Sequence, residues 1–195
     1  MNSAIRDGTG GGYSAKVDSN NRVHTKSVTD ESSLAAIFDG NGYNINTGII
    51  TLTNDTDTPV VYVKNNEDFG LVITAVAIGL NYSTGGSATD MAQITFVRNP
   101  TAGTIVSGAT AVDINSNRNY GSNNVLDVNA YKGATGNTMT DGQDHILVFA
   151  NDGGRSFITI AEDLPKGATF GIKVQAPSGN TSMEVYAALI CHLEK

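Results

Sequence analysis

The residues whose types suit chemistry are few and scattered. His24, His145 and His192 stand far apart on different predicted strands, and none belongs to a zinc-binding spacing such as H-E-x-x-H. Cys191 is the only cysteine, so the chain has neither an internal disulfide nor a Cys-based metal site. The run Gly8-Thr9-Gly10-Gly11-Gly12 approaches Lys16 as a phosphate-cradling loop would. The match fails because such a loop needs Lys directly after its last Gly and Ser or Thr next, whereas Lys16 follows Ala15 and precedes Val17. Asp113-Ile114-Asn115-Ser116-Asn117 alternates oxygen-bearing residues as a calcium loop begins. Arg118 then stands where the turn glycine belongs, and Asn124 where the bidentate Glu belongs, so the segment reads as a ligand-free Asn-rich loop.

Carboxylate and aromatic clusters are equally sparse. Glu67-Asp68 and Glu162-Asp163 fall at expected turns and read as solvated loop charge, without the facing pair that glycoside hydrolysis requires. Tyr82, Tyr120 and Tyr131 lie in or beside expected loops, where exposed rings could meet a sugar, but Trp is absent and packing explains them as well. N-x-[ST] begins at Asn54, Asn81 and Asn180, chance matches in a chain this rich in Asn and Thr. These residues point to no reaction, no metal and no cofactor.

What must position them is a polar, weakly charged chain. Its 195 residues suit one domain with an appended arm. Charged residues are only 16% and glycines number 22, a composition of turns and strands rather than long helices. The formal charge of −7 disfavours a nucleic-acid binder, which needs clustered Lys and Arg. No apolar run approaches the ~20 residues of a membrane span. Met1 to Asp7 lacks the apolar stretch of a secretory signal, and the lone cysteine fits synthesis in a reducing cytoplasm.

Residues 1–32 read as an extended arm. Tyr13 to Val17 and Arg22 to Val28 are β-like segments around the turn cluster Asp18-Ser19-Asn20-Asn21. A hairpin there would be marginal alone and would need another surface. Residues 33–195 read as the body. A helical turn is expected within Ser32 to Phe38. Eight strands follow: Tyr43 to Thr53, Pro59 to Lys64, Leu71 to Tyr82, Ala92 to Arg98, His145 to Ala150, Arg155 to Ile160, Thr169 to Gln175 and Met183 to Leu193. Val61 and Val63 alternate with Tyr62 and Lys64, and Phe170, Ile172 and Val174 with Gly171, Lys173 and Gln175, which predicts two half-buried strands.

Leu71 to Ile78 and Val185 to Ile190 are apolar on both sides, as expected between two layers or at a subunit contact. In the last strand, Val185, Ala187, Leu189 and Cys191 would enter the core. Tyr186, Ala188 and Ile190 would then form an oligomer seam, or a second row of intrachain core. The long segment from Asn99 to Asp144, with one further strand expected at Val125 to Val128, should be a packed loop or a contact surface. Strand number and spacing predict an all-β fold: a two-layer β-sandwich of jelly-roll type with an extended N-terminal arm.

The arm carries a resemblance. Asp7-Gly8-Thr9-Gly10, Ala15-Lys16-Val17-Asp18 and Arg22-Val23-His24-Thr25-Lys26-Ser27-Val28 resemble the N-terminal segment of structural proteins of tailed-bacteriophage virions, over about 25 residues. That resemblance implies a non-enzymatic virion protein related to jelly-roll head decoration (cement) proteins, often trimeric, or to head-fibre and tail-appendage globules. On that basis the expected function is binding of the capsid exterior as an oligomer, most simply a trimer, with stabilisation of the shell. The expected partners are the major capsid protein and copies of itself, with no nucleic acid and no membrane. Arg6, Tyr13, Lys16, Arg22 and His24 are the expected contacts to capsid and neighbouring subunits, and Tyr186, Ala188 and Ile190 the expected oligomer interface. The protein would be made in the host bacterial cytoplasm and reside on the virion. The alternative is a tail, neck or head-fibre component acting as connector or as host-receptor or glycan-binding protein.

Overall fold

Strands with apolar residues at every second position bury one row each, and two such sheets cover their rows by facing one another. A computed structural model describes residues 32–82, 91–151, 153–177 and 183–194. In chain order the elements are helix α1 (Ser32–Phe38), strands β1 (Gly42–Thr51), β2 (Asp57–Asn65), β3 (Gly70–Tyr82) and β4 (Met91–Arg98), and a short helix α2 (Thr104–Gly108). Strands β5 (Thr110–Ala111), β6 (Asp113–Asn117), β7 (Val128–Lys132), β8 (Gln143–Asn151), β9 (Arg155–Leu164), β10 (Thr169–Gln175) and β11 (Met183–Glu194) follow. They form two antiparallel sheets that pack against each other: sheet 1 in the order β6-β1-β11-β3-β9 and sheet 2 in the order β5-β7-β2-β10-β4-β8. One core fills the space between them, with Ile45, Val76, Val185 and Leu189 from sheet 1 against Val61, Ile94, Phe96 and Ile172 from sheet 2.

The eight long strands match the eight expected from periodicity, and α1 occupies the expected helical segment. Four expectations need correction. Asp113 to Asn117, expected as an Asn-rich loop, is strand β6, paired with β1 at the edge of sheet 1. The strand expected at Val125 to Val128 instead runs Val128–Lys132, in register with β2 so that Tyr131 stacks on Tyr62 at 6.0 Å between ring centres. Glu162 and Asp163 lie within β9 rather than at a turn; this strand continues past Ile160 because Leu164 pairs with Leu71 and enters the core. Strand β2 is buried on both faces rather than half-buried, Tyr62 as deeply as Val61 and Val63.

The cause of that last difference is the long segment 99–142, which packs over the outer side of β2 and β10. Ile105 is buried there, and Met139 and Pro100 lie so close over Gly171 that a Cβ at that position would collide with the Met139 thioether. Asp141 ties the ends of the segment, accepting from the Thr101 and Ala102 amides, each at 2.7 Å, and from the Thr101 hydroxyl. The Asn-rich segment at the end of β6 and just beyond it has a related role. Asn117, Asn119 and Asn124 donate side-chain amides to carbonyls at the last residue of α1 and just past it: Gly40 at 2.8 Å, Phe38 at 3.0 Å and Gly40 at 3.2 Å respectively. A helix C-terminus leaves carbonyls without intrahelical donors, and amide side chains supply them.

Candidate functional site

The two sheets differ in how their outer faces are covered. Segment 99–142 lies over part of sheet 2, whereas the outer face of sheet 1 presents apolar side chains to solvent. Register assigns its rows. Ile49 of β1, Tyr186 of β11, Gly79 of β3 and Arg155 of β9 are laterally aligned; the next row is Asn46, Ala188, Ala77 and Phe157; the next is Asn44, Ile190, Ala75 and Thr159. Ile49 is 65% exposed, Phe157 66% and Tyr186 38%.

Local structure sets this face. Between Asn46 and Ile49 the register of β1 shifts, and Gly48 takes a positive φ of 67° that suits glycine. The backbone bonds disturbed there are replaced by Thr47, whose hydroxyl accepts from the Ala187 amide at 2.9 Å and lies 3.2 Å from the Ala187 carbonyl. The bulge turns Ile49 outward beside Tyr186. The Tyr186 ring in turn lies directly over Gly79, where a Cβ would overlap its far edge. Together with Leu80, Asn81, Gly153, Arg155 and Glu184, Ile49 and Tyr186 line a shallow hollow of about 260 Å³.

Of the expected site residues, Tyr186, Ala188 and Ile190 fall together on this face, in the row of β11 opposite the buried Val185, Ala187, Leu189 and Cys191. Arg6, Tyr13, Lys16, Arg22 and His24, the expected arm contacts, lie outside the described residues. Ile49 and Phe157 belong to the same face and were not singled out by sequence. The available signal was the register of neighbouring strands, which alternation within one strand does not supply.

The two sheets end at the edge strands β9 and β8, and the exposed apolar residues of β8 belong to its outer row, aligned with Gln93 and Thr95 of β4 on the outer face of sheet 2. Leu147 is 53% exposed and Phe149 52%, while Ile146, Val148 and Ile158 point toward the core and remain partly accessible. Near the start of β8, His145 Nε2 meets Glu162 Oε1 at 2.9 Å, linking the two edge strands. Between Ile146 and Ala150, and between Ser156 and Ala161, neither strand carries a charged residue.

The remaining candidate chemistry is dispersed. Cys191 is fully buried and donates to the Tyr43 carbonyl at 3.6 Å; burial pushes its thiol up to about 12, which makes it inert. His192 is buried beside a hollow lined by α1 residues Ser32, Ala35 and Ala36, and burial lowers its pKa. Among the described residues no three His, Cys, Asp or Glu side chains gather as metal ligands would. Tyr120 projects fully into solvent from the loop after β6 of sheet 1, and Tyr131 stacks on sheet 2, so these two rings share no binding surface. Lys173, little exposed, holds Asp57 at 3.0 Å and Asp144 at 3.1 Å. Burial works against its charge, but the two carboxylate hydrogen bonds prevail and its pKa is raised. No helix among the described residues is long and apolar enough to cross a membrane. Comparison with protein-family models gives no match, and neither does comparison with curated proteins.

Proposed function

We propose that this protein is a non-enzymatic structural component of a tailed-bacteriophage virion, a decoration protein that binds the capsid exterior as an oligomer and stabilises the shell. The observation that carries the reading is the apolar outer face of sheet 1, where Ile49, Tyr186 and Phe157 stand in solvent around a floor of Ala and Gly. Exposed contiguous apolar area of this kind marks a contact surface in soluble proteins. The strand order supports a jelly roll: the eight long strands fall as β1-β11-β3-β9 in one sheet and β2-β10-β4-β8 in the other. The chain crosses between sheets at every step except β4 to β8. Viral capsid proteins are among those built on jelly rolls, which supports the virion reading.

The resemblance of residues 5–29 to virion proteins supplies the second support. An extended segment gains backbone hydrogen bonds by adding to a neighbour's sheet, and several weak arms on one oligomer raise avidity by about 10² to 10⁴. Arg6, Tyr13, Lys16, Arg22 and His24 are the proposed contacts. Removal of residues 1–32 is expected to leave the body folded, with an unchanged circular dichroism spectrum, and to abolish incorporation into particles. Truncated protein that decorates shells at full occupancy overturns the arm's role. The fully exposed Tyr120 favours, as a second reading, a receptor-binding or connecting role at the tail, neck or head fibre. Electron microscopy of labelled virions separates the two: copies over the whole head support decoration, and copies confined to one vertex or the tail support the second reading.

A further inference from the structure

We propose that His192 is a pH-sensitive pin beneath α1: neutral, it lets the helix lie closed over the end of sheet 1, and protonated, it loosens the helix while the sandwich stays folded. Such a device acts within the body and is independent of the virion reading.

Position is the first support. His192 belongs to the outer row of β11 with Tyr186, Ala188 and Ile190, and pairs with Gly42 of β1 and Val72 of β3. Those three row members are exposed or half-buried, whereas His192 is only 4% exposed, because α1 packs on this end of β11. A hollow of about 240 Å³ lies there, lined among others by Ser32, Ala35 and Ala36 of α1, Asp39 just past it, and His192 and Glu194. The Nδ1 atom of His192 is buried and has no hydrogen-bond partner among the described residues. A neutral imidazole can leave that nitrogen as a bare acceptor. Protonation makes it a charged donor, and a buried charged donor without a partner is strongly disfavoured.

The element above the ring is lightly held. Of the seven residues of α1 only Ala36 is buried, while Leu34 and Phe38 are exposed. Its ties to the sheet lie at its C-terminal end, where the Asn41 carbonyl accepts from the Leu193 amide at 3.0 Å and the Asn side chains reach Phe38 and Gly40. An element with so little buried apolar surface opens far more readily than core strands do.

The charges around the ring are few. Glu194 stands on β11 and Asp39 just past α1. Arg118 lies beside β1, its backbone N–H on the Gly42 carbonyl at 2.8 Å, and Asp163 of β9 continues the row beyond Val72. Helix α1 and strands β1 and β3 contribute no acidic or basic side chain, and the Tyr43 phenol of β1 is on the inner row with Cys191. Burial, opposed by Glu194 and reinforced by Arg118, holds the ring below its ordinary 6.5. Lifting α1 returns the ring to water, so the open form binds the proton more tightly than the closed one and the two events are linked. Closure is therefore complete above 6.5, and the open fraction rises by up to about tenfold per pH unit below it, until the depressed value is passed.

Hydrogen exchange of the full-length protein tests this at the Asp39, Gly40 and Asn41 amides, which bond the Ala35, Ile37 and Ala36 carbonyls, and at the Leu193 amide. Between about pH 7.5 and about pH 5.5 their protection, taken against unstructured-peptide rates, should fall by about threefold to tenfold, with the β4 and β10 amides unchanged. His192→Phe keeps a ring without a titrating nitrogen and should abolish the fall, whereas His145→Gln, which breaks the contact with Glu162, should leave it intact. Equal protection at both pH values overturns the proposal, as does a fall that survives His192→Phe or vanishes in His145→Gln. Should circular dichroism show that His192→Phe does not fold, the nuclear magnetic resonance titration of the parent's His192 ring decides. Protonation below 6.5 together with the fall in protection supports the pin, and protonation at or above 6.5 overturns it.

Discussion

At the scale of single residues, Gly79 and Tyr186 show how the candidate surface is built from a missing side chain. Glycine inside a strand weakens it, and here the absent Cβ makes the bed on which the Tyr186 ring lies. Gly79→Ala should leave stability within about 1 kcal/mol, because the far end of a flexible ring can swing away and alanine is the better strand residue. The displaced ring no longer fills the face, so self-association should weaken by about tenfold, as loss of an aromatic anchor does. Sedimentation across a dilution series reads the effect. Unchanged association would show that the ring's placement does not matter.

Cys191 gives the complementary case of a residue whose isolation has a pH signature. The folded chain holds the thiol proton to about 12, while the ordinary value is 9.0, so above pH 9 the unfolded state sheds a proton that the folded state keeps. Stability therefore falls as pH rises from about 9 toward 12, and the contribution is fully present below 9. Urea midpoints at pH 7 and pH 10 should fall less in Cys191→Ala than in the parent. Equal slopes would show that the thiol is not the group titrating.

At the scale of elements, the eight long strands were legible in the sequence because their apolar residues recur with period two between turn signals. What alternation within one strand leaves open is which rows face solvent. In Ile146 to Phe149 both rows are apolar, the pattern of a central strand, yet β8 is an edge. Strand β2 shows the converse, since Tyr62 and Lys64 look like an outer row until segment 99–142 covers Tyr62. Neither outcome follows from local pattern, because both depend on distant partners. Strands β5 and β6 are too short and too polar to announce themselves, and the outer row of β11 was legible only as two alternatives. Ile49, Phe157, Leu147 and Phe149 became site residues only through the register of neighbouring strands.

The strap over sheet 2 is testable as an element. Hydrogen bonds from the Thr101 hydroxyl and then from the Ala102 and Thr101 amides hold the Asp141 carboxyl below the usual carboxylate range. The tie is thus present above the ordinary value near 3.8 and is lost as pH falls through the depressed one. Asp141→Ala should speed hydrogen exchange at the Thr101 and Ala102 amides, with the β3 and β11 amides unchanged. Protection retained at Thr101 and Ala102 would mean that Pro100, Met139 and Ile105 hold the segment without the carboxylate.

At the scale of the whole molecule, the order of strands in space runs against their order in the chain. Strand β11, last in sequence, lies between β1 and β3 in sheet 1, and Tyr43 meets Cys191 across 148 positions. Likewise β10 lies between β2 and β4. Few of the core contacts are local, so most of the loop-closure entropy is lost before burial compensates, which predicts slow folding, on the order of milliseconds to seconds. It also predicts that the N-terminal portion alone has no stable structure, since without β11 the inner rows of β1 and β3 lose Val185, Ala187 and Leu189 and both strands become open edges. A chain ending at Pro177 should therefore be insoluble or unfolded by circular dichroism, whereas removal of residues 1–32 should be tolerated. A soluble, cooperatively melting product of the C-terminal truncation would show that sheet 2 and the remainder of sheet 1 fold as a unit of their own.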